Sequence, residues 1–292
     1  NKIRNPGTVY HMEFDQYQPG NIIYTDRHSL VTSDGETSEI VAGNRVSSGY
    51  REGQYTDARF DDIKGFIQLS SRFIVAVDYS NHCLRMIKRK QVQSRVDSFS
   101  GVCKKSGFKN GKNGTMNRPQ AIIRDSVRPN QLLLLDTWND AIRTVAVSDG
   151  SLGTFVESEK LDRVKSLTQN QNGDIFISTY EALIGVKYSE KKIYLVAGIP
   201  GIRGHLDSTL LKSEFRYPTD LLFIGPSTLM VADNKIRLLD LQMDKVTTLN
   251  ICSGCKRLTS PSSLLMNNHS LYIGDFSGIQ GFRRKSLHVF HS

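Results

Sequence analysis

The chain has one tryptophan, four cysteines and, in 292 residues, no apolar stretch near the roughly 18 residues that a membrane span needs. This segment is therefore expected to make no membrane insertion. Four cysteines are too few for a disulfide scaffold and, by count, for a zinc protein. The first residues, NKIRNPGTVYHMEF, lack the basic-then-apolar order of a signal peptide. Asn1 is not an initiator methionine, so a processed or trimmed chain is expected and that absence excludes nothing. There is no G-x-S-x-G, H-E-x-x-H or phosphate loop, and the seven histidines offer no trio on successive strands to hold a metal. No enzymatic activity, cofactor or metal is expected. Disorder is excluded too, because 38% of the residues are hydrophobic and 23% charged, enough for a sizeable core.

What the chain does have is a repeat. Residues 73–87 read FIVAVDYSNHCLRMI and residues 131–145 read QLLLLDTWNDAIRTV. Each is an apolar run, an Asp, an Asn three later, an aliphatic at six and an Arg at seven. The matching residues are Asp78, Asn81, Leu84 and Arg85 against Asp136, Asn139, Ile142 and Arg143. Shorter versions surround Asp26, Thr179 in the acid's place, Asp233 and Asp275, so the six positions lie 42 to 58 residues apart. A second block falls between them: VAGNRVSSGYREGQYTDARF, FSGVCKKSGFKNGKNGTMNRP and VAGIPGIRGHLDSTLLKSEFRYP. Each is a strand end, a Gly-rich loop, then an expected buried Phe or Met before the next strand.

The apolar runs are short, rich in aliphatic residues and broken by turn residues, which predicts strands. Four-stranded units repeating at this spacing predict an all-β, six-bladed β-propeller with four-stranded antiparallel blades, as one domain over residues 1–292. The blocks resemble NHL repeats, whose name comes from a run that Asn81, His82 and Leu84 nearly spell; the resemblance covers most of residues 20–285. The Asp and Asn of each unit are expected to cap the turn between second and third strands by binding local backbone N–H groups. Arg85, Arg143 and Arg237 are expected to pair with neighbouring turns.

With strands A to D running outward, the B–C turns and the long D–A connections emerge on one face and the A–B and C–D hairpins on the other. Trp138 sits in a B–C turn, with Tyr79 and Phe276 in matching turns. Tyr50, Arg51, Tyr55, Phe108, Arg203 and His205 lie in the long loops. Trp, Tyr and Arg are the commonest hot-spot residues of protein interfaces. The alternative for each ring is that it folds back to plug its loop onto the blade.

Net charge is +9, which favours acidic partners. Lys104, Lys105, Lys109, Lys112 and Arg118 share one loop and Lys256 and Arg257 another, but KRK at 88–90 and RRK at 283–285 fall on the opposite face. A nucleic-acid reader would concentrate such charge. Cys83 opens a strand C and Cys103 follows the neighbouring strand D, so a disulfide between them is expected. Cys252 and Cys255 form a CxxC without a thioredoxin context, read as a small loop-stapling disulfide. Such pairing implies an oxidising compartment. Sequons at Asn113 and Asn268 fall in exposed loops and are candidate glycosylation sites.

The NHL resemblance implies three functional classes. The expected one is a secreted module, or the extracellular portion of a membrane protein, of receptor or adhesion type, binding another protein through the long-loop face; a glycan ligand falls within it. The alternative is an intracellular propeller that binds single-stranded RNA on a basic aromatic face. An enzyme like the peptide-amidating lyase fits less well, because its metal-assisted site needs converging histidines.

Overall fold

The computed structural model describes residues 2–3, 8–90, 93–251, 258, 260–268, 270–275 and 278–283. Helical backbone among these is confined to four short 3-10 segments, and no helix is long and apolar enough to cross a membrane. The chain divides into two compact units, Pro6–Arg163 and Asn1–Asn5 with Val164–Ser292.

The first unit holds three antiparallel sheets. Blade one is Met12–Phe14, Ile22–Asp26, Ser29–Ser33 and Ser38–Gly43. Blade two is Ile63–Ser70, Phe73–Asp78, Cys83–Lys88 and Arg95–Ser100, with Gly53–Gln54 added along its outer edge. Blade three is Pro119–Arg124, Gln131–Asp136, Ala141–Ala146 and Leu152–Glu157. The second unit holds three more. Blade four is Leu167–Gln169, Ile175–Ser178, Ala182–Lys187 and Lys192–Gly198, and blade five is Asp220–Phe223, Thr228–Ala232, Ile236–Asp240 and Lys245–Thr248. Blade six takes Ser263–Met266, Ser270–Asp275 and Gly278–Arg283 from the end of the sequence and its outer strand, Lys2–Ile3, from the beginning. These are the blades of the expected six-bladed β-propeller class.

The continuous apolar runs have a plain cause. In strand B of blade two, Val75 and Val77 pack into the cluster shared with blade three, and Ile74 and Ala76 into the cluster shared with blade one. A strand buried on both faces needs no polar alternation, and each large aliphatic it buries contributes about 1.5–3 kcal/mol. The residues foreseen as buried ahead of the next blade, Phe60, Met116 and Phe215, are all fully enclosed.

The repeat Asp does something other than expected. Asp78 Oδ1 accepts the backbone N–H of Asp61 at 2.8 Å, Asp136 Oδ1 that of Asn117 at 2.6 Å and Asp233 Oδ1 that of Arg216 at 2.9 Å. These donors belong to the connection arriving from the preceding blade; in blade five the turn adds one of its own, the Asn234 N–H on Asp233. The acid thus locks one blade's turn onto the incoming chain. The residue after each donor, Asp62, Arg118 or Tyr217, has positive φ (70°, 49° and 60°) and swings the chain into strand A. Blade four departs from the pattern: strand B ends on Ser178, paired with Leu183, and Thr179 instead bonds Ala182. Placing the acid's counterpart at Thr179 was therefore one residue late.

Candidate functional site

The long connections are pinned from below by fully buried arginines. Arg85 donates to Asp78 and to the carbonyls of Arg59 and Arg51. Arg143 donates to Asp136 at 2.7 Å, to the carbonyls of Thr115, Lys109 and Gly153 and to the Asn110 side chain. Arg237 gathers Asp207 and the carbonyls of Glu214 and Leu206, with Asp233 at 3.5 Å. Asn81 and Asn139 add a grip on the Gly49 and Gly107 carbonyls. The several donors of a guanidinium satisfy carbonyls that burial would otherwise orphan, although the Arg85 Nε itself has no partner among the described residues. Burial pushes the carboxyls of Asp78, Asp136 and Asp233 above the usual range, and the bonds they accept pull back against it. The expected role of these arginines extends from pairing with turns to holding whole loops.

Two predicted contact rings serve this scaffold. Tyr50 lies 4.6 Å over the Arg85 guanidinium, its hydroxyl on Ser98 and Glu52, and Phe108 lies 4.4 Å over Arg143. Both are loop plugs, half covered beneath and open above.

Trp138 is different. It occupies the 3-10 turn Thr137–Asn139, its backbone N–H held by the Asn117 carbonyl, and the residue is 58% exposed. The Arg118 guanidinium lies 4.0 Å over the indole and 5.6 Å over the Tyr79 ring. Lys64, ion-paired with Asp62 at 2.7 Å, lies 5.3 Å over Tyr79 and 3.5 Å over Tyr10. The result is an alternating row of rings and cations, Tyr10, Lys64, Tyr79, Arg118 and Trp138, across the B–C side of the first unit. Cation–π contacts of this kind hold about 0.5–1 kcal/mol each at exposed sites. Histidines fasten the row from behind: His82 Nδ1 accepts the Arg118 N–H at 3.0 Å, and His28 Nδ1 the Asp62 N–H at 3.2 Å. Burial first, and then a neighbouring cation, Arg118 or Arg27, pushes both imidazoles below their ordinary value.

The second unit carries a shorter version. Tyr180 and Tyr217 meet edge to face at 5.4 Å, Lys165 lies 5.0 Å over Tyr180, and Arg203 lies 4.5 Å over Tyr217 while pairing with Glu181 at 2.8 Å. His205 sits 3.4 Å from Asp233.

The chain matches no protein-family model and no curated protein. Among solved structures, it is similar to an auxiliary nutrient binding protein from Bacteroides ovatus (12% identity, 96% of this chain and 72% of that one, TM-score 0.72). It is also similar to the extracellular domain of a candidate hybrid two-component system from Bacteroides thetaiotaomicron (11% identity, 97% and 39%, TM-score 0.58) and to a chain of a nidogen/laminin complex (15% identity, 82% and 79%, TM-score 0.56). These likenesses show the propeller fold.

The remaining predicted residues scatter. Tyr55 leaves the face: its N–H is held by the Ser94 carbonyl, and it lines a cavity of about 560 Å³ with Tyr17, Thr32, Arg45, Arg89 and Lys90. The cavity's arginines are already neutralised, Arg45 by Asp26 and Arg89 by Asp15. Within the KRK segment Arg89 is buried, whereas Lys88, paired with Asp97, and Lys90 are exposed. Arg51 and Lys109 are exposed but act through their backbones, bridging Arg59 and Thr115. Lys104 and Lys105 are exposed beside Cys103, which is bonded to Cys83 as expected, with Cα atoms 5.0 Å apart. Asn113 and Asn268 are exposed. Cys252, Cys255, Lys256, Arg257, Phe276 and the last two residues of the RRK segment lie outside the described residues. The row's other members, Tyr10 and Lys64, escaped the sequence reading, and His82 entered it only as part of the repeat. Lys64 had one signal, the aliphatic-Lys pair that opens strand A of blade two and reappears as Val164-Lys165.

Proposed function

We propose that this chain is an NHL-type propeller acting as an extracellular recognition module, in one domain and without catalytic chemistry, which binds another protein through the side bearing the B–C turns and long connections. The observation that carries the reading is the exposed indole of Trp138 stacked on Arg118. A large ring held rigidly by a neighbouring cation loses little entropy on binding, which is the property of an interface anchor. The Cys83–Cys103 disulfide supports an oxidising compartment. The similar structures named above include a nutrient-binding protein, an extracellular domain and a protein–protein complex, which support the same class by analogy of fold.

The test is capture from extracellular fractions by the immobilised chain, with cross-linking to identify what is held. Trp138→Ala or Lys104→Glu, folded as wild type, is expected to lose that protein; undiminished capture by both would sink the reading. Because alternating rings and cations also suit stacked bases, the same preparations are to be tested against single-stranded RNA across a salt series. Protein recognition predicts almost no salt slope there, and a steep one would favour the RNA class.

A further inference from the structure

We infer that Arg118 is a carboxylate-binding anchor, and that the partner presents to it an acidic side chain flanked by an apolar one that covers Trp138. This rests on the reading above and sharpens it. Arg118 lies over two rings, so its π faces are engaged, yet among the described residues no carboxylate pairs with it. Of the acids nearby, Asp62 holds Lys64 and Asp136 is buried against Arg143, Asn139 and the Asn117 N–H. What remains is the in-plane N–H fork, the edge that matches a carboxylate bidentately.

The backbone is committed to that pose. Arg118 has φ 49° immediately before Pro119, a left-handed conformation that a side chain before proline avoids, and it persists because His82 Nδ1 takes its N–H. That bond fixes the backbone, and the contacts with Trp138 and Tyr79 place the guanidinium.

The surroundings choose among anions. Lys64 is neutralised by Asp62, and beyond Trp138 the surface turns acidic: Asp140 follows two residues later and feels Asp162, Glu159 and Glu157. A polyanion such as a sulfated glycan or RNA laid from Arg118 across Trp138 would run into these acids, whereas the exposed Lys104 and Lys105 lie beside Cys103. A single carboxylate beside an aliphatic group meets one fork and one indole.

Trp138 is the only tryptophan in the chain, so its emission reads the site directly. The experiment titrates the whole chain with acetyl-Leu-Glu-Leu-amide, its Gln analogue and heparin, following tryptophan fluorescence up to ~10 mM probe. Expected is a saturable change with the Glu peptide and at least about tenfold weaker binding of the Gln peptide, with Arg118→Gln erasing the difference. Arg118→Lys, which keeps charge and loses the fork, should recover less than about a tenth of the affinity. Circular dichroism verifies that each variant folds, and Lys carries the test if Gln does not. Equal response to Glu and Gln peptides, no saturable response, saturation by heparin alone, or full recovery by Lys would each overturn the inference. Partner capture separates the levels: loss with Trp138→Ala but not Arg118→Gln rejects the anchor and leaves the recognition reading standing.

Discussion

Blades three and four receive the chain in opposite ways. Blade three is reached through a long Gly-rich connection, and Arg143 at the centre of its third strand gathers that connection's carbonyls while pairing with Asp136. Blade four follows a short stretch, residues 158–166, and at the position of the arginine it has Gly185. The space is filled instead by Tyr194 from the next strand: a Cβ on Gly185 would lie 2.3 Å from its ring. Blade five, entered again through a long loop, has Arg237. The arginine therefore accompanies the loop and not the blade. A long connection folded against a sheet buries carbonyls that need donors, and one guanidinium supplies several of them.

The largest expected effect breaks the clamp. Arg143→Met leaves Asp136 buried with its cation gone and several carbonyls without donors, so a loss of about 3–5 kcal/mol is expected in urea unfolding. Hydrogen exchange should locate the damage: amides of 102–118 open, whereas those of blade four stay protected. Uniform opening would mean that Arg143 supports the sheet and not the loop.

The same connection is tied a second time by Cys83–Cys103, at a sequence separation of 20. The double Cys83→Ala, Cys103→Ala variant should lose about 3 kcal/mol by the chain-entropy account. Combined with Arg143→Met it should cost less than the sum, because both act on one loop; strict additivity would show that they are independent.

The comparison sharpens from the other side with Gly185→Ala, expected to cost about 1–3 kcal/mol by forcing Tyr194 aside. Tyr194→Leu should then restore most of the loss in the double variant. Failure of the rescue would show that the glycine serves the backbone and not the ring.

Much of this scaffold is legible from spacing. The Asp78/Asn81/Arg85 and Asp136/Asn139/Arg143 series, the apolar runs and the Cys83/Cys103 offset are local patterns, and they lead to blades, turns and a disulfide. The contacts that make the site are not local. Arg89 meets Asp15 across 74 positions, and Arg118 meets His82 across 36. No periodicity marks such pairs, so Arg89 read as surface charge and His82 as part of a repeat name. Trp138 stood out as the chain's one tryptophan, set in a B–C turn, but the cation over it, Arg118, sat in the list of loop cations with nothing to distinguish it.

The smallest expected effect is a matter of pH. The turn of blade two holds the next connection through an imidazole, His82 Nδ1 to the Arg118 N–H, whereas the turn of blade four does so through a carbonyl, Tyr180 to the Tyr217 N–H at 2.9 Å. His82 and His28 have folded-state values below 6.5, set by burial and then by Arg118 and Arg27, with Asp136 pulling upward on His82 and Asp61, Asp62 and Asp26 on His28. In the unfolded chain both take up protons first as the pH falls, so their stability contribution is complete above pH 6.5 and is lost below it toward the folded-state value. Protonation replaces an acceptor with a donor facing an N–H, so the tie at Arg118 fails and the one at Tyr217 does not. Between pH 7.5 and 5, exchange of the Arg118 amide should accelerate beyond its intrinsic pH dependence while that of Tyr217 does not. His82→Gln, whose side-chain oxygen accepts without titrating, should remove the contrast, and equal acid sensitivity at both amides would show that the histidine is not the cause.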